Sequence, residues 1–160
     1  MKKILCCLIL AGAFLTSQAQ TTNSLFSKID SLVGTSEFEL ALQLIESQLS
    51  TTKSGEETLW LKSKKAEALI SRGNLAEAEL LLNSINTLDK SAPLQGMVLT
   101  NIGYLNLNKG RNDLALQYLE EALTKFQQSN SRDTKEGARC LSTLGLVYSS
   151  TGKYKQAESN

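Results

Sequence analysis

Past residue 21 the chain is patterned at helical spacing. Apolar and small side chains recur at steps of three and four residues through eight segments, at about 22–33, 37–50, 56–71, 75–87, 94–108, 112–127, 135–150 and from 154 onward. Short polar or glycine-bearing breaks separate them. No stretch alternates polar and apolar residues for long enough to suggest a strand. The spacing predicts an all-α chain.

The segments come in pairs. Aligning one small residue in each second helix places "EFELALQLI" at Ala41, "NLAEAELLL" at Ala78, "NDLALQYLE" at Ala115 and "KYKQAESN" at Ala157, at steps of 37, 37 and 42 residues. Twelve residues before these stand Ile29, Ala66, Gly103 and Gly145, and five residues before the last three stand Gly73, Gly110 and Gly152. Self-similarity at such a period means stacked two-helix units. Antiparallel helices joined by a short turn approach to about 8–10 Å only where the crossing residues are small. The pairs Gly103 with Ala115 and Gly145 with Ala157 are expected to provide such crossings. The turn glycines end the first helices in the left-handed conformation. Ser36 and Glu39 have the spacing of a capping box at the start of the second segment, and Asn74 with Glu77 has a weaker version.

"LTNIGYLNLNKGRNDLALQYLEEAL" and "LSTLGLVYSSTGKYKQAE" resemble tetratricopeptide repeats, whose pattern is W-x2-L-G-x2-Y followed by A, F, A and P. In the fourth unit Leu141 takes the Trp place, Leu144-Gly145 the Leu-Gly, Tyr148 the Tyr, Gly152 and Tyr154 the turn, and Ala157 the Ala. In the third, Leu99, Ile102-Gly103, Ala115, Leu119 and Ala122 fit, with Asn106 in the Tyr place and Gln127 in the Pro place. The second keeps Ala66, Gly73, Ala78 and Leu82, and the first Phe38, Ala41 and Ile45. The resemblance spans residues 22–160, in units of about 22–50, 56–87, 94–127 and an incomplete 135–160. It implies a right-handed α-solenoid of about three and a half antiparallel helix pairs. The long steps resemble those of kinesin light chains and of bacterial arrays that precede other domains.

The resemblance also implies a function. In such arrays the first helices of the units line a concave groove that binds a peptide or protein. Carrying over the groove positions gives Asn23, Phe26, Asp30 and Val33, then Trp60, Ser63, Glu67 and Ile70, then Met97, Thr100, Tyr104 and Leu107, then Arg139, Ser142, Leu146 and Ser149. Thr100, Tyr104, Phe26 and Asp30 do not supply the lysine and asparagine donors with which some members hold a terminal carboxylate. Trp60 is either an interface anchor or packing between adjacent helices, and Tyr104 and Tyr118 face the same choice. Lys62, Lys64 and Lys65 read as a solvated helix face.

Composition narrows the chemistry. Among 160 residues, 41% are hydrophobic and 21% charged, as in an ordinary globular chain, and there is one proline, Pro93. There is no histidine, which removes the commonest general base and the Ser-His and Cys-His pairs. No phosphate loop, nucleophile elbow or metal-spaced cysteine set appears, so neither an enzyme nor a cofactor is expected. A formal charge of +1 gives no basic face for nucleic acid.

The first residues read as a leader. "MKK" is a positive n-region, residues 4–15 form an apolar core of 12, and Ser17-Gln18-Ala19 fits a cleavage site, so residues 1–19 are expected to be removed. The apolar run is too short to span a bilayer. Losing Lys2 and Lys3 takes 17 basic against 16 acidic side chains to 15 against 16, a balance of −1. Cys6 and Cys7 leave with the leader, and too few residues precede them for a lipobox. Cys140 then stands alone, at a position where core packing is expected. The predicted protein is an exported, periplasmic or extracellular scaffold without a stable membrane span. The alternative is a recruiting or sensory front of a larger protein, such as a CHAT-type peptidase or a sensor kinase. In the fourth unit, Leu141, Leu144, Val147 and Tyr148 await a partner helix that starts only at about Tyr154. Residues 135–160 are therefore expected to be the least protected.

Overall fold

The computed structural model describes residues 24–52, 55–86 and 90–152. They hold α1 (24–34), α2 (Phe38–Thr51), α3 (Glu56–Ser71), α4 (Leu75–Asn86), α5 (Ala92–Asn108), α6 (Asn112–Gln128) and α7 (Lys135–Ser150), with no strand among them. The helices coincide with the segments expected from spacing to within two residues at either end. Helix α5 begins earlier than its apolar pattern because Pro93, lacking an N–H, is tolerated in a first turn. The leader, Asn23, Tyr154, Ala157 and the helix expected from 154 lie outside the described residues.

Each helix packs on the next, and α3, α5 and α7 also pack side by side. The chain is an all-α solenoid of helix pairs, with the odd-numbered helices forming one row. Its main core runs through α2 to α7 around Leu69, Leu82, Val98, Leu119, Phe126 and Leu144. A smaller cluster of Ile29, Ile45 and Leu61 joins α1 and α2 to α3. Trp60 packs against both clusters.

The small residues of the repeat explain how closely the pairs pack. Ala41, Ala66, Ala78, Ala115 and Ala122 are fully buried. A Cβ on Gly103 would lie 2.6 Å from Leu119 Cγ and 3.3 Å from the Ala115 carbonyl oxygen, so α5 and α6 can meet as they do only with glycine there. In the fourth unit Leu144 and Val147 are buried in the main core, while Leu141, Gly145 and Tyr148 are half-buried.

The turns reveal a regularity that the residue types conceal. Gly73 and Gly110 have φ of 86° and 71°, and each closes a helix with a pair of bonds: Gly73 N–H to Ile70 O with Asn74 N–H to Leu69 O, and Gly110 N–H to Leu107 O with Arg111 N–H to Asn106 O. This is the Schellman closure. Gly152, at φ 75°, takes the same place in the fourth unit. In the first unit that place belongs to Ser36, with φ 64° and the same bonds, to Val33 O from its own N–H and to Leu32 O from Glu37 N–H. The capping box expected at Ser36 and Glu39 is therefore absent. Ser36 closes α1, and the residue before α2 is Glu37, which makes no side-chain cap. Thr35 Oγ1 donates to the Glu37 carboxylate at 2.8 Å instead.

A left-handed residue bearing a Cβ is strained by about 1–2 kcal/mol, of which the greater chain entropy of unfolded glycine takes back part. Ser36→Gly is therefore expected to raise stability by about 0.5–1 kcal/mol, read as a higher urea midpoint at unchanged slope. Gly73→Ala should lower it by a similar amount. A Ser36→Gly protein no more stable than the parent would contradict this account of the turn.

Candidate functional site

The row of odd-numbered helices is held together by charge. Lys64 of α3 is 3% exposed, although lysine is among the residues least often buried. Its Nζ lies 2.6 Å from Asp30 Oδ1 of α1, 3.2 Å from Glu67 Oε2 one turn further along α3, and 3.9 Å from Glu136 Oε1 of α7. Lys135 reaches Asp30 Oδ2 at 3.2 Å, and Arg139 Nε stands 3.5 Å from Glu67 Oε1. Three cations thus face three carboxylates, and the cluster is neutral. Asp30 Oδ1 accepts no hydrogen bond, so its approach to Lys64 is an ion contact outside hydrogen-bond geometry.

A chain of neutral donors runs beside these ions. Asn101 of α5 donates from Nδ2 to both the carbonyl and the Oγ of Ser63 at 2.8 Å, and its Oδ1 accepts from Arg139. Ser63, Asn101 and Arg139 therefore tie α3, α5 and α7 together. A buried charge without its partners would be severely destabilising, so each member of this network constrains where the others sit.

The expectation that Lys62, Lys64 and Lys65 form a solvated face is corrected at Lys64. It lies 37 residues before Asn101, and Asn101 lies 42 before Thr143, so all three occupy one repeat position and all three are buried. That position faces the neighbouring first helix rather than solvent. A polar residue recurring two places before Ala66, Gly103 and Gly145 was the available signal. Lys65 is partly buried. Burial opposes its charge, but the hydrogen bonds and charges of Glu46 and Glu77 outweigh this and hold its pKa above the ordinary lysine value.

Two hollows open along the row, and the ion cluster lines the second of them. The first, about 450 Å³, is lined by Phe26, Trp60, Met97 and Phe126 among others. The second, about 480 Å³, is lined by Asp30, Glu67, Tyr104, Arg139 and Leu146 among others. Glu136 borders both. Phe26 and Trp60 stack at 3.9 Å between ring centres with planes 17° apart, and Lys64 Nζ is 5.5 Å from the Trp60 ring.

The groove residues carried over from the repeat pattern divide between these places. Phe26, Trp60 and Met97 line the first hollow, with Met97 buried in its floor. Asp30, Glu67, Tyr104, Arg139 and Leu146 line the second, where Leu146 is 55% exposed. Leu107 is half-buried against the main core. Ile70 and Thr100 are buried and offer no side-chain surface to a groove ligand; Thr100 Oγ1 donates to the Gly96 carbonyl at 2.8 Å. Groove donors of the carboxylate-holding kind do exist, in Lys64, Asn101, Lys135 and Arg139. All four are engaged within the protein. Gly96 was not singled out by the repeat spacing. A Cβ there would come within 2.9 Å of the Phe126 ring, so its absence lets that ring lie against α5 beside the first hollow.

Elsewhere the polar chemistry is local. Cys140 is fully buried, with its Sγ 3.4 Å from the Leu119 carbonyl. Burial raises its pKa above that of an ordinary thiol, against the smaller opposing effects of a Thr100 hydrogen bond and the Arg139 charge. Glu56 accepts from Ser91 N–H at 2.7 Å, and hydrogen bonding to Ser91 lowers its pKa. Among the described residues no group of three or more His, Cys, Asp or Glu is placed to hold a metal, and no helix is long and apolar enough to cross a membrane.

Two outcomes follow from this arrangement. Lys64→Met should cost about 3 kcal/mol, because Asp30 and Glu67 lose their common partner. Adding Asp30→Asn should restore part of that loss, measured as a double-mutant cycle in urea; strictly additive losses would dismantle the cluster. Native Cys140 should stay unreactive toward a thiol reagent at about pH 8 and react at once after unfolding. Its folded pKa is raised, so any stability it contributes is present below the unfolded thiol pKa and lost as pH rises through the folded one.

The architecture has relatives of known structure. Residues 94–160 match the family model described as "Tetratricopeptide repeat". Eighteen chains of solved structure match, among them the crystal structure of BtubC (BKLC) from P. vanneervenii, with a TM-score of 0.56 at 16% identity. The match covers 82% of this chain and 53% of that one, so the chain spans about half the length of its structural relative. No curated protein matches the sequence. Tetratricopeptide repeats are typically non-catalytic protein-interaction scaffolds. Two-helix units run from α1 through α7, their close approach set by Gly103 and Ala115 and their turns by Gly73 and Gly110, and residues 94–160 of this all-α solenoid are similar to tetratricopeptide repeats.

Proposed function

We propose that the chain is an exported scaffold that binds a peptide or protein segment along the row of odd-numbered helices. The observation that carries this reading is the pair of hollows on that row, with a partly exposed Phe26–Trp60 stack in one and exposed Leu146 in the other. Half-buried aromatic side chains set in a hollow are the usual anchors of protein interfaces. Export rests on the leader pattern of residues 1–19, a positive start followed by an apolar core and a small-residue cleavage site. As a recruiting part of a larger protein, the array would engage its partner through the same face.

The two parts of the proposal are tested separately. Expression of the full chain with a C-terminal tag should deliver it outside the cytoplasm with Gln20 as its first residue, and retention of Met1 in the cytoplasm would refute export. Capture of partners from the extracytoplasmic fraction should be lost with Trp60→Ala or with Leu146→Arg, provided circular dichroism shows both variants folded. Undiminished recovery with both would count against this face.

A further inference from the structure

The two hollows have opposite electrostatic characters. The second contains Lys64, Lys135 and Arg139 against Asp30, Glu67 and Glu136, and these charges satisfy one another. The first is bordered by three carboxylates, Glu56, Glu57 and Glu136, and by no lysine or arginine among the described residues. Lys64 comes within 5.5 Å of its Trp60 but is already paired to Asp30 and Glu67. Acidic residues in a first helical turn also complement the positive end of their helix, as Glu56 and Glu57 do on α3 and Glu136 on α7. Glu136 is already balanced within the ion cluster, so the charge left over is that of Glu56 and Glu57, against which the start of α3 supplies only about half a charge, and the border stays negative. Glu56 is further occupied by Ser91, which leaves Glu57 as the group facing a ligand.

Resting on the proposed interaction role of this face, we infer that the first hollow selects a partner segment in which an apolar or aromatic side chain is flanked by lysine or arginine. The anchor would lie against Trp60, Phe26, Met97 and Phe126, and a basic neighbour would pair with Glu57. A terminal carboxylate would meet only like charge there, since the donors able to receive one are engaged at the ion cluster. Charge of this kind decides which partner docks and how fast more than it adds raw affinity.

Trp60 is the chain's only tryptophan, so its emission reports directly on this hollow. The probes are acetyl-GKKFLKKG-amide, acetyl-GQQFLQQG-amide and acetyl-GEEFLEEG-amide, titrated into the full mature chain at low salt. The lysine peptide should shift Trp60 emission and bind about tenfold more tightly than the glutamate peptide. The preference should shrink at about 0.5 M NaCl, where charges are screened. Glu57→Lys should abolish the preference with its helical signal intact, and Glu57→Gln should halve it or more. Equal binding of the three peptides, or a preference for the glutamate peptide, overturns the inference. So does the absence of any change in Trp60 emission. The scaffold reading falls only if the partner capture is also insensitive to Trp60→Ala and Leu146→Arg. A lysine preference that survives Glu57→Lys but disappears with Leu146→Arg would move the site to the second hollow and likewise overturn the inference.

Discussion

A single lysine side chain holds the inner row of helices in register. Lys64 belongs to the second unit, yet its partners Asp30 and Glu136 come from the first and fourth, while its own Glu67 receives Arg139 from the fourth. In a solenoid each unit ordinarily touches only its neighbours, and stability is close to a sum of local terms. Contacts that reach from the first unit to the fourth break that locality. They fix the curvature of the inner face, because Asp30 can meet Lys64 and Lys135 together only at one spacing of α1, α3 and α7. Hydrophobic packing alone specifies this geometry less sharply, since it is non-directional. Charged partners with so little exposure tolerate little displacement.

The rest of the fold prepares that arrangement. Gly103 against Leu119 and Ala115 brings the third pair close, and left-handed closures at Ser36, Gly73 and Gly110 make the same turn before each second helix. Repetition of a turn, rather than of a residue, is what the backbone requires. Serine meets the requirement at position 36 with strain, which is why the repeat appears to lose its glycine in the first unit while the chain path does not change. Packing follows the same division. The main core unites α2 to α7, whereas α1 rests on a cluster of Ile29, Ile45 and Leu61 bridged to the main core by Trp60. With so small an apolar cluster of its own, α1 gains placement from the Asp30 ion contacts.

These features were legible in the sequence to different degrees. Helices and turns were readable because they depend on periods of three to four residues and on local backbone needs, as at Gly73, Gly110 and Ala115. The pairing of units was readable because small residues recur at fixed steps. The ion cluster was not. Lys64 lies among other lysines on one helix, and three side by side ordinarily indicate solvent. Only the repeat register, two places before Ala66, distinguishes Lys64 from Lys62, and its ion partners Asp30 and Glu136 lie 34 residues before it and 72 after it. Groove positions taken from the repeat pattern carried the same limitation. A position carried over from the pattern can turn out to be buried against neighbouring side chains, as Ile70 and Thr100 are.

The cluster also sets the charge of the proposed interaction face. By consuming Lys64, Asn101, Lys135 and Arg139 internally, it removes the cationic and amide donors that would otherwise attract a carboxylate. The carboxylates in the first turn of α3 are not consumed in this way. Glu57 borders the apolar hollow, whose lining holds no lysine or arginine among the described residues. The same packing that makes the row rigid therefore leaves the negative charge at one end of it. The lysine that ties α1, α3 and α7 together is thereby engaged elsewhere and does not neutralise Glu57, so the sign of charge left over on this face follows from the same ion contacts.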